Sequence, residues 1–289
     1  MNYEHVPCII CKSFDTTLRF SKPWGDDEVF TLVRCKHCGL EFVNPRPFYN
    51  DMPQYYKGYF DKRTDRGYSD YFSKAMQTEV LRLLALNLAD LNFYEFESTL
   101  PDTRYALDIG CAAGYFVDYM AKRGWKSSGI DIAPDCINYA TTKLHVDAYC
   151  DDFLTFNFTN TYHLITLWAT IEHLHYPDRF LEKIFSLLHD DGLLYISTCR
   201  SSIWSPRILF GKRWRYYNFP HHLYFFSYAT LAKLLQLKGF TITRFATYGS
   251  GIGKAGSTIR TVADGLAKKL YLGDMMLIAA KKQKHTFNC

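Results

Sequence analysis

Two hydrophobic rhythms divide the chain. From residue 104 onward, short apolar runs at 105–109, 126–130, 162–168 and 192–198 alternate with helical patterns. Alternation of this kind predicts βαβ units around a parallel sheet. A helix over 227–237 and strands over 241–247 and 275–280 complete the pattern. Upstream, Phe72, Met76, Val80, Leu83 and Leu84 recur three and four apart within 69–96, which predicts an amphipathic helix that ends before Pro101. Pro45, Pro47 and Pro53 interrupt any regular element before it. The expected organisation is a cysteine-bounded module over 1–44, a connecting arm and helix over 45–100, and an α/β domain over 101–289. That domain is doubly wound and mostly parallel, with a substrate-side insertion at 200–226.

Composition adds little to this picture. A chain of 289 residues can build one large core and a small satellite. No apolar run reaches the roughly 18 residues of a membrane span, and residues 1–12 lack a signal-like core, so the cytoplasm is the expected location. The net charge of +5 is spread thinly and favours anionic partners only weakly. Rings concentrate at 48–71 and 204–228, where they serve either as core or as binding surface.

Chemistry first becomes specific at Asp108-Ile109-Gly110-Cys111-Ala112-Ala113-Gly114, which follows a predicted strand and opens a predicted helix. Two glycines let the backbone turn tightly against a ligand. The spacing is Gly-x-x-x-Gly rather than the Gly-x-Gly-x-x-Gly of a dinucleotide site, and a carboxylate at Asp108 suits a cationic ligand better than a pyrophosphate. Asp131 ends the next strand about 20 residues on, where an acid accepts ribose hydroxyls. Asp151 and Asp152 follow the third strand, placed to meet an adenine amino group. Together these describe adenosine with a cationic tail.

With 107–114, 129–131, 152–153, 167–174 and 220–227, the chain resembles the class I S-adenosylmethionine-dependent methyltransferases, in the branch with an N-terminal cysteine module. The resemblance implies a Rossmann-like fold and S-adenosylmethionine as cofactor. It places Gly110 and Gly114 along the methionine moiety, Asp131 on the ribose, Ile132 on adenine and Asp152 at the adenine amine, with Asp108, Cys111, Phe153 and Trp168 as further cofactor-binding candidates. One departure stands out: Ala169 occupies a position where the family often carries Asp or Asn.

Cys8-x-x-Cys11 and Cys35-x-x-Cys38 form two knuckles whose thiolates suit a tetrahedral, structural Zn²⁺. The 23 residues between them exceed the usual roughly 15–20, which predicts an enlarged hairpin. His37 is expected to be a bystander. Buried free thiols or disulfides are the competing readings.

Ligands of open parallel sheets bind beyond the carboxyl ends of the strands, so 168–175 and 200–226 should face the transferred methyl. His222 and His173 are the candidate catalytic bases, with a capping or core role as the alternative for each. Tyr55, Tyr56 and Tyr59 are candidates to cover the cofactor. Cys199 reads as a strand-end residue. Ala169 and Thr170 stand where a metal-dependent O-methyltransferase would place hard oxygen ligands, so no catalytic ion is expected. The basic and aromatic run at 211–217 suits a phosphate joined to a ring. The function expected is methyl transfer to a small polar acceptor, a sugar or nucleotide-linked sugar of glycan or secondary-metabolite assembly. The rivals are an RNA methyltransferase that grips RNA with its ribbon, and a cofactor-binding regulator without turnover.

Overall fold

The computed structural model describes residues 2–56, 71–201, 207–250 and 258–283. Tyr59 and Ser69, used above, lie outside the described residues. The chain opens with strands β1 (Tyr3–Glu4), β2 (Thr16–Trp24), β3 (Glu28–Cys35), β4 (Glu41–Val43) and β5 (Arg46–Pro47). Helices α1 (Met52–Tyr56), α2 (Lys74–Asp90) and α3 (Phe93–Ser98) follow. The α/β region then runs β6 (Tyr105–Ile109), α4 (Tyr115–Lys122), β7 (Lys126–Asp131), α5 (Pro134–Lys143), β8 (Asp147–Cys150), β9 (Tyr162–Trp168), α6 (Pro177–Leu187) and β10 (Leu188–Cys199). It closes with α7 (Arg207–Phe210), β11 (Tyr224–Phe225), α8 (Tyr228–Leu237), β12 (Phe240–Tyr248), α9 (Thr258–Lys269) and β13 (Met275–Lys282).

Seven strands form the main sheet in the order β12-β13-β10-β9-β6-β7-β8. The pairs from β10 through β8 are parallel, and β13 runs antiparallel between β10 and β12. Period-two alternation sends side chains to opposite faces. Leu107, Ile165, Ile196 and Ile278 face a core that includes Leu181 and Ile184 of α6 and Leu231 and Leu234 of α8. Ala106, Leu164, Tyr195 and Leu277 face a second core built with Leu84 and Leu88 of α2, Phe93 of α3 and Phe116 of α4. Both faces are thus covered, which is why these strands read as continuous apolar runs.

The single helix expected over 69–96 is two helices. Ser73 caps α2 by accepting from the Met76 N–H at 3.2 Å, and the chain breaks at Asn92, which has φ +59. A left-handed residue cannot continue an α-helix, and asparagine tolerates that conformation better than most side chains.

The cysteine module is a sheet of order β11-β4-β3-β2. The long β2–β3 hairpin accounts for the wide cysteine spacing, and Gly25 at φ +61 turns it. Its fourth strand comes from far along the chain: Tyr224 pairs with Phe42 and Phe225 with Glu41, and the Val43 N–H donates to the Leu223 carbonyl at 2.9 Å. Buried Arg46 reinforces this junction, donating to the His175 carbonyl at 2.7 Å and to the Tyr224 hydroxyl at 2.8 Å. Phe30, Leu32, Leu40 and Phe42 share one apolar core with Tyr224 and Phe225.

Close packing behind the glycine turn constrains β7. A Cβ at Gly129 would lie 2.7 Å from the Cys111 sulfur and 2.9 Å from Val117 Cγ2. Gly129→Ala should therefore destabilise the protein by about 1–3 kcal/mol through overpacking. A drop in denaturant midpoint at unchanged slope checks this, and an unchanged midpoint would show that Cys111 yields without cost.

Candidate functional site

A cavity of about 1160 Å³ opens at the carboxyl ends of β6, β7, β8 and β9. The turn after β6 forms its floor. Gly110 has φ +73, and a Cβ there would sit 2.6 Å from Thr170 Cγ2, so both conformation and space demand glycine. Gly114, at φ +76, starts α4, and its added Cβ would lie 2.9 Å from Ala140 Cβ.

Asp131 stitches this turn to β7. Its carboxylate accepts from the Ala112 N–H at 2.8 Å and the Ala133 N–H at 2.9 Å, one on each oxygen, with the Ile132 N–H beside them. Burial raises its pKa, with those N–H groups opposing. Asp152 accepts from the Tyr49 hydroxyl at 2.6 Å and the Leu154 N–H at 2.7 Å.

Of the cofactor candidates, Gly110, Asp131, Ile132 and Asp152 line the cavity, as do Phe153 and Trp168. Asp108, Cys111 and Gly114 stand behind the wall. Cys111 packs with Val117 and Ile137. Asp108 is 3% exposed and accepts from the Thr166 hydroxyl at 2.7 Å. Burial pushes the Asp108 carboxyl up to about 8; the Thr166 hydrogen bond opposes this and the charge of Asp131 adds to it.

The cavity wall also gathers His173, His222 and Glu172. The two imidazoles meet edge to face with centroids 4.5 Å apart. Glu172 is 1% exposed and accepts from the Thr198 hydroxyl at 2.8 Å. Its own carbonyl accepts from the Leu223 N–H at 2.8 Å, which ties the β9 loop to the segment carrying His222. Tyr56 reaches His173 Nδ1 at 3.0 Å, whereas Tyr55 is buried and bonded to Glu28 at 2.7 Å. Cys199 is buried at the end of β10, with its sulfur 4.0 Å from His222 Nδ1.

From the basic and aromatic run, only Arg215 and Tyr216 are on the cavity wall. Trp214 and Tyr217 are 1% and 2% exposed and belong to the core, with Trp214 Nε1 donating to Asp274 at 3.0 Å. Sequence reasoning passed over Tyr49, Tyr248, Met275 and the carboxylate of Glu172. Glu172 stood beside a candidate histidine, but no sequence signal marked it as buried. Tyr248 and Met275 arrive from strands whose place in the sheet is a tertiary fact.

Ala169 adopts φ +51, and its N–H reaches both the carbonyl and the hydroxyl of Ser197. That conformation explains why Asp or Asn suits the position, since both tolerate the left-handed region better than alanine.

The four cysteine sulfurs lie within 4.8 Å of one another, with Cys8 to Cys38 at 3.3 Å and Cys11 to Cys35 at 3.4 Å. The two knuckles share one geometry. The Lys12 N–H donates to the Cys8 carbonyl and the Gly39 N–H to the Cys35 carbonyl, and both of these residues, each just after the second cysteine, have positive φ. A tetrahedral ion with bonds of about 2.3 Å would set the sulfurs roughly 3.8 Å apart, within reach of the observed separations. His37 is exposed and lies 3.8 Å from Asp15.

Residues 72–244 match the family model described as a methyltransferase domain, which covers more than half of the chain. The chain belongs to the class I S-adenosylmethionine-dependent methyltransferases. Among curated proteins, it is 26% identical over 135 residues to a ubiquinone biosynthesis O-methyltransferase of Coxiella burnetii, covering 45% of this chain and 56% of that one. It is 33% identical over 105 residues to the enzyme of the same name from Glaesserella parasuis, covering 32% and 44%. The matched region therefore spans about half the length of these relatives. Among solved structures, magnesium protoporphyrin IX methyltransferase from Synechocystis PCC 6803 with bound SAH superimposes with a TM-score of 0.53 at 17% identity, covering 82% of this chain and all of that one. No helix among the described residues of the methyltransferase is long and apolar enough to cross a membrane.

Because the Asp108 carboxyl is raised above its ordinary value of about 3.9, folding holds its proton between that value and about 8. Stability from this group is present at low pH and lost as pH rises through that window. Without cofactor, Asp108→Asn should gain on the native protein from pH 5 to 8.5 by on the order of a few kcal/mol. Paired melting curves across this range check it, and a constant difference in Tm would remove the assignment.

Proposed function

We propose that this methyltransferase methylates a hydroxyl oxygen of a small polar acceptor, a sugar or nucleotide-linked sugar, held on the cavity wall where His173, His222 and Glu172 meet. The cavity exceeds the roughly 300–1,000 Å³ typical of single-ligand sites, so a cofactor and a small acceptor fit together. When bound, S-adenosylmethionine supplies the electrophilic methyl group. Gly110 and the Ala112 turn give its methionine end backbone room, and Asp131 offers its carboxylate to the ribose hydroxyls. Ile132, which is 54% exposed on the wall, provides an apolar surface for adenine, and Asp152 an acceptor for its amine. Arg215 beside Tyr216 supplies a cation for an acceptor phosphate. His222 is proposed to orient the acceptor hydroxyl, with His173 oriented beside it by Tyr56.

The observation that carries this reading is the meeting of two imidazoles and a buried carboxyl on the wall of the same cavity as the glycine turn, which supplies polar groups to hold an acceptor hydroxyl. A phenolic acceptor is the second reading, favoured by the names of the curated relatives. Incubation with labelled cofactor and a panel of nucleotide sugars and catechols tests both. Methylated sugar is the expected product, methylated catechol selects the second reading, and cofactor bound without turnover on any acceptor supports the regulator. Asp131→Ala should weaken cofactor binding by about 1.5–3 kcal/mol in calorimetry, and full affinity in the folded variant would refute the ribose assignment.

The cysteine cluster is proposed to hold one structural Zn²⁺ through Cys8, Cys11, Cys35 and Cys38. Its sheet shares β11 with the segment that carries His222, so the ribbon braces the acceptor wall, a role that needs no RNA. Elemental analysis should find one zinc per chain. Chelation should unfold the ribbon and lower turnover by at least about tenfold, with a smaller change in cofactor affinity. Zinc-free protein with full turnover would contradict this role.

A further inference from the structure

Resting on the acceptor site just described, we infer that Glu172, His173 and His222 hold one divalent first-row transition ion whose open positions take two neighbouring oxygens of the acceptor, as in a vicinal diol or catechol. The ligand atoms of these three residues all lie within 4.8 Å of one another at the cavity wall. An ion with bonds of about 2.0–2.2 Å bridges atoms roughly 3–4 Å apart, so closing on it needs only small side-chain movements. Two imidazoles and one carboxylate suit iron, cobalt, manganese or zinc and leave positions for substrate. The oxygen-only ligand set that Ala169 and Thr170 fail to supply is not required for such an ion.

Each side chain is also held as a metal ligand is held. Imidazoles that bind metals are characteristically oriented through their second nitrogen. The Tyr56 hydroxyl is 3.0 Å from Nδ1 of His173, and the Cys199 sulfur is 4.0 Å from Nδ1 of His222. Thr198 fixes Glu172 at 2.8 Å. The backbone joins the two segments through the Leu223 N–H to the Glu172 carbonyl, and the His222 N–H donates to the Asn218 carbonyl at 2.9 Å.

Charge points the same way. Glu172 is almost wholly buried and makes no ion pair among the described residues. A carboxylate buried without a cation is costly, and a divalent ion supplies the missing countercharge. The chemistry balances without a redox partner. An acceptor hydroxyl bound to the ion releases its proton to solvent, its oxygen bonds to the methyl carbon, and the carbon–sulfur bond breaks with its electron pair remaining on sulfur. In this arrangement the histidines act through the ion, and the ion lowers the hydroxyl pKa.

The test uses the full chain with its ribbon loaded with zinc and titrates Co²⁺ while the weak visible bands of nitrogen and oxygen coordination are followed. Thiolate coordination at the ribbon would add strong near-ultraviolet bands and so is separable. One Co²⁺ per chain is expected, with affinity lowered at least about tenfold in both Glu172→Gln and His222→Gln. Circular dichroism and S-adenosylhomocysteine binding confirm folding; Glu172→Gln retains an acceptor for Thr198, and His173→Gln serves if either variant fails to fold. Absence of saturable binding, or an affinity unchanged in the folded variants, overturns the ion site. Methylation of the acceptor panel without a bound ion overturns the ion alone, whereas an ion without methylation of any acceptor overturns the function and leaves the ion.

Discussion

The pairing of β11 with β4 is the constraint on which the cavity wall at His222 depends. A two-residue strand has little stability alone, yet Tyr224 and Phe225 are nearly fully buried because the cysteine module gives their backbone a partner. Once that pairing forms, Leu223 and His222 just before it are set in place. The Leu223 carbonyl binds Val43 of the module, and its N–H binds the carbonyl of Glu172. One short strand thus fastens the cysteine module, the loop after β9 and the segment carrying His222 to one another. Arg46 repeats the arrangement in side chains by joining Glu4, His175 and Tyr224.

Electrostatics give the cavity its second organising principle. Asp108, Asp131 and Glu172 lie at or near the carboxyl ends of β6, β7 and β9, and burial raises the pKa of all three. Such a site disfavours further negative charge in its interior. Arg215 places a positive charge on the same wall.

The α/β core was legible because its rules are local. Runs at 105–109 and 162–168 match β6 and β9, and the acids at 131 and 152 follow from strand ends and chain order. The helix over 69–96 was read as continuous because apolar spacing carries no mark for the left-handed break at Asn92. The run at 211–217 read as one basic and aromatic surface, but period and composition do not tell which rings turn inward. Trp214 and Tyr217 went to the core and Arg215 to the wall.

By itself the sequence determined the family, the glycine turn and the four-thiol cluster, since each depends on residues at short, fixed spacings. Only the tertiary structure decided that Asp108 stands behind the wall, that the fourth strand of the cysteine module comes from residues 224–225, and that Glu172 lies with His173 and His222. The physical reason is range. A turn or a knuckle is closed by its immediate neighbours, whereas a strand pairing or an inter-loop cluster forms between segments some 50 to 180 residues apart, and no local pattern encodes which partner a buried strand or carboxyl will meet.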